Sequence, residues 1–458
     1  MSDKATRSWT SLGVTTLALA ASGSTTLGFS IILARTLDPS DYGELARTFA
    51  LSMAVAQLAM AGLAPALARI VASAPGDQLR FDRAPSAVRV MALGSCATAI
   101  IYLPLAFAGF AGDSGYALLG GLAVTAVYAT YFGIKMILFA LDRVRAYALM
   151  EFTSDLIFFA CLAVFLFVEP KAALFAFSVA YLVFIVVASR YITRRAANRS
   201  AVVLDRGTAR FGVLALVSTY ASVARFPFVV AIAGFVGTAL ISAQIALLVG
   251  IVMPLFLLPQ AAGAMTFANV ARQPDGETTH VRHLVRAVAL VSALVASVAG
   301  LVSADILGVV GGSSYVSAAP SLTLVLFCLV PQLAAIPVGN AAAARGGVGV
   351  KALISAAGLA VSVVGTALTV PEFGLMGAAV SLGAGTVLAG SLSLAYGFRH
   401  FDLRVSDLAG AGAVCAAGLL GLVVPGGAAA GVVLPVLGAA AAVSIHWWSP
   451  SRMGQVTS

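Results

Sequence analysis

Apolar residues run through this chain in continuous blocks of about 20, long enough as helices rising 1.5 Å per residue to cross the roughly 30 Å hydrocarbon core of a bilayer. Such blocks begin near Trp9, Gly43, Ala87, Tyr116, Ala148, Ala172, Phe211, Leu240, Leu284, Ala319, Lys351, Phe373, Asp407 and Gly427. The pattern predicts an all-α, polytopic integral membrane protein with about 14 spans, or twelve or thirteen if the last two, short and Gly/Ala-rich, do not cross. A β-barrel is rejected, because barrel strands of about 10 residues alternate apolar and polar positions. The first block, Trp9 to Ala34, exceeds the apolar region of a cleaved signal peptide and reads as a retained span.

Composition agrees. Of 458 residues, 60% are hydrophobic and 10% charged, with mean hydropathy +1.02. That leaves too little polar surface for a water-soluble enzyme, a nucleic-acid module or a disordered scaffold. The net charge of +9, from 27 Lys+Arg against 18 Asp+Glu, acquires meaning when sorted by position. With the N-terminus inside, 22 of the 27 basic residues fall in segments predicted to be cytoplasmic. Arg35, Arg47 and Lys171 fall on the opposite face, and Lys135 and Arg225 lie within spans. This asymmetry predicts a multi-pass protein of the cytoplasmic membrane with both termini inside, and Trp9, Trp447 and Trp448 at cytoplasmic span ends suit the headgroup region.

The longest connector, about Arg190 to Thr208, is Arg-rich and predicts a boundary between two six-helix lobes, 1–199 and 200–400, with 401–458 as two appended helices. Its Asn198-Arg199-Ser200 matches a glycosylation sequon on the wrong side for use. Cys96, Cys161, Cys328 and Cys415 sit in apolar runs as small hydrophobes, indicating neither a disulfide framework nor a metal site.

The stretch Ile31 to Gly43 ends one span and starts the next, and Ala231 to Ser242 occupies the equivalent place in the second lobe. Asp38-Pro39 and Ser40-Asp41 supply a helix stop and N-cap residues, Tyr42 suits an interface, and Gly43 permits a tight turn. The segment Ile32-Leu33-Ala34-Arg35-Thr36-Leu37-Asp38-Pro39-Ser40-Asp41-Tyr42-Gly43 also resembles the signature after the first helix of polysaccharide exporters of the multidrug/oligosaccharidyl-lipid/polysaccharide (MOP) flippase superfamily. Ala140-Leu141-Asp142-Arg143-Val144-Arg145-Ala146-Tyr147 resembles that family's fourth-to-fifth-helix loop. The resemblance implies two six-helix lobes forming a V around a central cavity. It also implies export of an undecaprenyl-diphosphate-linked oligosaccharide across a bacterial inner membrane, with a polymerase and glycosyltransferases as candidate partners.

Ionisable groups inside a span cost about 2.5–3.5 kcal/mol at mid-helix on insertion scales, which makes them functional candidates. Arg225 lies fifteen residues beyond Arg210, about 22 Å from the cytoplasmic face, and is expected either to face a wet cavity or to reach the outer interface. The Phe226-Pro227 pair after it should loosen the helix. Lys135 and Asp155 are expected at similar depth as a structural pair; the alternative makes Asp155, with Glu151 one turn away, a coupling-ion site. Arg35 and Arg47 lie near outer helix ends, where Glu44 and Arg47 are expected to pair. Arg225, Lys135, Arg35 and Arg47 together predict a cationic, water-filled cavity able to hold a diphosphate.

No phosphate-binding loop, catalytic triad or metal-ligand spacing occurs in the sequence, and no cofactor is implied. His280 and His283 stand three apart without a nearby carboxylate or Cys and read as a headgroup-facing helix surface. The leading expectation is a lipid-linked oligosaccharide flippase working by alternating access. A cation-coupled drug or metabolite exporter using Asp155 is the alternative, and a polytopic glycan-assembly enzyme is disfavoured by the short outer loops.

Overall fold

The chain changes direction at short breaks whose residues account for them, as seen in a computed structural model describing residues 25–423 apart from 199, 203–204, 258, 261, 264–265, 267–269 and 271–278. Helix α1 (residues 25–36) stops at Leu37-Asp38, and Pro39 opens α2 (Pro39–Ala72), where a missing N–H costs nothing. Asp38 holds the N-cap position but makes no side-chain cap bond, so the capping expected there is not formed. Next come α3 (Asp77–Leu105), α4 (Gly115–Ala140), α5 (Val144–Val168) and α6 (Phe175–Arg195), then α7 (Arg206–Val223), α8 (Arg225–Val236) and α9 (Ala239–Val252). The chain continues with α10 (Thr279–Leu301), α11 (Ser303–Val310), α12 (Ala319–Ala344), α13 (Val348–His400) and α14 (Ser406–Val423). No strand occurs among the described residues. Nine of the described helical segments are long and apolar enough to span a membrane, and α7 with α8 makes a further span bent by 55°.

Two expected spans are fused in α13, where Gly374 alone breaks the helical backbone at φ +55, a conformation open to glycine. The chain folds back there: Thr369 Oγ1 and Ser381 Oγ meet at 3.0 Å across the turn, so 348–373 and 375–400 are the two spans expected from Lys351 and Phe373. With α14 starting beside Asp407, the described spans follow the expected order. The fourteenth span, from Gly427, the three tryptophans and the beginning of the first span lie outside the described residues.

The described residues up to Leu257 with Val348–Leu382 form one compact unit, and those of Leu258–Gly347 with those after Leu382 form a second. Helix α2 is the axis of the first, packed by α3, α4, α7, α8 and α9. Its Ala54, Ala56, Ala61, Gly62 and Ala64 let backbones approach where lipid offers no hydrophobic drive to association. By contrast α5 turns Phe152, Leu156, Val164 and Phe167 outward, as a lipid-facing helix does. Cys96 is likewise on an exposed face, unlike the buried position expected of it. Ion pairs sort the connections by end. Arg47–Asp113 and Lys171–Asp41 join the α1/α2, α3/α4 and α5/α6 connections, while Arg143–Asp77 joins the α2/α3 and α4/α5 connections.

The connector after α6 is strapped down. Buried Asp82 of α3 accepts the backbone N–H groups of Ala197 (2.9 Å) and Asn198 (3.0 Å) and the Gln78 amide, and Ser86 Oγ donates to Ser200 O at 2.8 Å. Bonds to a charged acceptor contribute about 1.5–3 kcal/mol each. Asp82→Ala should therefore raise trypsin cleavage between Arg194 and Arg206 by at least about tenfold with the fold intact, measurable on purified protein by gel.

In the second unit, Asp407 at the start of α14 is buried and accepts Arg282 Nε (2.7 Å), Arg286 Nη2 (2.6 Å) and the Arg404 N–H (2.8 Å), tying α14 to α10. Charges assigned from sequence to cytoplasmic loops thus form an internal clasp.

Candidate functional site

Four-residue spacing on α4 and α5 builds a buried polar cluster inside the first unit. Tyr131 and Lys135 stack on one face of α4, and Tyr147, Glu151 and Asp155 on one face of α5. The connection between them turns at Asp142, at φ +56, bringing the faces together. Lys135 Nζ donates to Glu151 Oε1 at 2.8 Å and to Tyr131 Oη at 3.1 Å, and Tyr131 Oη donates to the same carboxylate oxygen at 2.5 Å. The ammonium also lies 4.8 Å from the Tyr131 ring centroid and 5.3 Å from that of Tyr147, so aromatic faces supply part of its solvation. Tyr131 stacks on Tyr181 of α6 at 4.2 Å. Both charges are nearly inaccessible, with side-chain exposures of 7% and 0%.

The expected Lys135–Asp155 pair is corrected: Lys135 pairs with Glu151, and Asp155 Oδ1 accepts the Thr25 hydroxyl of α1 at 2.7 Å. A turn centred on Asp142 sets position 135 opposite the residues around 150, one helical turn before Asp155. Glu151 Oε2 and Asp155 Oδ2 are buried without hydrogen-bond partners among the described residues. The cluster is therefore a matched ion pair with a second carboxylate one turn away.

Arg225 stands at the bend between α7 and α8 and is fully enclosed at 0% exposure, rather than facing a wet cavity or the outer interface in this state. The loosening expected from Phe226-Pro227 is realised as the 55° bend. Arg47 donates to Gly234 O at 3.0 Å, near the C-terminus of α8, where a cation meets unsatisfied carbonyls, and approaches Asp113 at 3.9 Å. The expected Glu44–Arg47 pair is thus replaced. Arg35 is exposed at the end of α1. None of the four basic candidates lines the cavity of the first unit.

That cavity is half-open, has a volume of about 170 Å³ and lies between α1, α2, α4, α7, α8 and α9. Along α2 its lining residues Tyr42, Ala46, Phe49, Ala50, Met53 and Gln57 recur at helical spacing and share one face. Tyr42, expected at an interface, is 1% exposed and part of this wall. No lining residue is charged, so the cationic character expected of a cavity is absent from the described lining.

Neither a known family model nor a curated protein matches this sequence. Solved structures do match. The chain is similar to the lipid II flippase MurJ in an inward closed conformation, with TM-score 0.68 and 10% identity over 94% of this chain and 98% of that one. It is similar to the eukaryotic MATE transporter AtDTX14, at 0.58 and 16% over 86% and 96% of the two chains. It is also similar to a MOP superfamily transporter from Pyrococcus furiosus, at 0.56 and 14% over 86% and 95%. The matches cover 86–94% of this chain and 95–98% of the others, and on that ground this multi-pass membrane chain has the fold of the MOP-superfamily transporters.

Proposed function

We propose that the protein is a MOP-type flippase that moves an undecaprenyl-diphosphate-linked oligosaccharide across a bacterial cytoplasmic membrane by alternating access of two six-helix lobes, 1–199 and 200–400, for polysaccharide assembly. The observation that carries this reading is the fold match to a lipid II flippase over almost the whole of both chains, joined to the Ile32–Gly43 signature at the α1/α2 break. The basic candidates for holding the diphosphate are Arg225, Lys135, Arg35 and Arg47. Of these, Arg35 is exposed, while Lys135 is already matched by Glu151. Polymerase and glycosyltransferases act as partners before and after transport.

Moving a diphosphate outward through an inside-negative potential gains about 2.3 kcal/mol per charge per 100 mV, or about 4–5 for two charges. Proteoliposomes carrying the full chain and a lipid-linked glycan should therefore flip it faster when an inside-negative potential is imposed by a potassium gradient with valinomycin. Flipping at the same rate with and without the potential would remove the potential as a driving force, and no flipping at all would remove the flippase reading. A cation-coupled exporter is the second reading, favoured by the buried carboxylate oxygens of Glu151 and Asp155 that lack partners among the described residues. It predicts that Asp155→Asn abolishes gradient-driven drug efflux in cells while surface glycan is unchanged.

A further inference from the structure

The uncharged cavity of the first unit has a chemistry that the diphosphate does not explain. Phe29 of α1, Phe49 and Tyr42 of α2, Tyr128 of α4 and Phe226 of α8 line it. Rings with an electron-rich face attract the electropositive edge of a ligand that packs against them. Phe29 and Phe49 are 5.4 Å apart, and Phe49 is fixed in turn by stacking on Phe177 at 4.7 Å, so the rings are held in place before any ligand arrives. Among these rings sits Gln57, 5% exposed, whose Oε1 is buried with no hydrogen-bond partner among the described residues. An amide oxygen left unmet in an apolar site asks for a donor.

A ligand for this site must therefore present apolar C–H faces and at least one hydroxyl or amide N–H donor. It must carry no net charge, since the described lining has no counter-ion and burial without one is strongly unfavourable. The volume of about 170 Å³ is below the roughly 300–1,000 Å³ of sites that enclose a whole drug-sized molecule, which fits one ring at a time. We propose that this cavity is a sugar-recognition pocket, seating one neutral pyranose of the transported oligosaccharide against Phe29, Phe49 and Phe226, with a hydroxyl donating to Gln57 Oε1. The diphosphate is bound outside the pocket. This deepens the flippase reading and rests on it for the identity of the molecule that carries the sugar.

The test uses the full chain in proteoliposomes with two probes: the lipid-linked glycan fraction extracted from the source strain, and undecaprenyl diphosphate lacking sugar. Gln57→Leu is expected to lower the flipping rate of the glycan-bearing lipid at least tenfold and to leave that of the bare lipid unchanged. Phe49→Leu, at a half-buried position, should act in the same direction and guards against a folding defect in one variant. An equal fall for both probes, or unchanged transport of the glycan-bearing lipid, overturns the pocket while leaving the flippase reading in place. If the unsubstituted protein flips neither probe, the flippase reading fails, and thermal unfolding in a sugar-free detergent decides the pocket. Stabilisation by about 2 °C or more with neutral methyl glycosides, lost in Gln57→Leu, supports it. Stabilisation by tetraphenylphosphonium alone, or by neither probe, overturns it.

Discussion

Lys135→Met is expected to destabilise the protein by about 3–5 kcal/mol, because it leaves the Glu151 carboxylate in a site with 0% side-chain exposure and no cation beside it. The Tyr131 hydroxyl would remain as a donor, but one neutral donor does not replace an ammonium at 2.8 Å. Adding Glu151→Leu to that variant should recover most of the loss, since an apolar pair of similar size avoids burying either charge. The comparison of the two single variants with the double isolates the pair from its surroundings. Thermal or denaturant unfolding of the purified protein is the measurement. If Lys135→Met unfolds like the unsubstituted protein, the pair contributes nothing to stability. The prediction also discriminates between roles: a structural pair loses stability and regains it in the double variant, whereas a transport role leaves the double variant folded and inactive.

Gly43→Ala is the second large effect. A Cβ at this position would collide with the carbonyl group of Ala239, the first residue of α9. The obstacle is backbone, which cannot rotate aside, so the cost should lie at or above the top of the about 1–3 kcal/mol range for overpacking. Gly115→Ala, with nothing within 4 Å of the added carbon, is the control and should change stability by less than about 0.5 kcal/mol. Loss of the monodisperse peak in size-exclusion chromatography of the Gly43 variant, with the control unaffected, is the expected result. Equal behaviour of the two variants would show that α2 and α9 can part without penalty.

The run length of apolar residues makes the helical architecture legible in the sequence, because a span is a local property of about 20 residues. Even the Gly374 break was visible as two spans, starting near Lys351 and Phe373, inside what the structure forms as one interrupted helix. Side-chain partners were harder to read. Distance to a helix end gives depth but says nothing about rotation around the axis, and so it points to Asp155 rather than Glu151 as the partner of Lys135. The four-residue spacings Tyr131/Lys135 and Tyr147/Glu151 carried the rotational information. Position in sequence also misassigned Tyr42, whose helix-mates Ala46, Phe49, Ala50 and Met53 mark an inward face. Arg47 and Gly234, 187 positions apart, could not be joined by any local rule, because their contact depends on how α2 and α8 pack.

The breaks at Leu37-Asp38 and Gly237-Thr238 stand two hundred residues apart and precede helices of 34 and 14 residues. The meeting of Gly43 with Ala239 just beyond them has a mechanical consequence. With no side chain between them the two backbones meet directly, so a tilt of α2 that keeps this contact swings its other end. Helix α2 runs on to Ala72, about 44 Å from Gly43 at 1.5 Å per residue, so a rotation of about 10° carries its far end roughly 8 Å. A rigid tilt of α2 about Gly43 would thus move its far end much more than the end that touches α9.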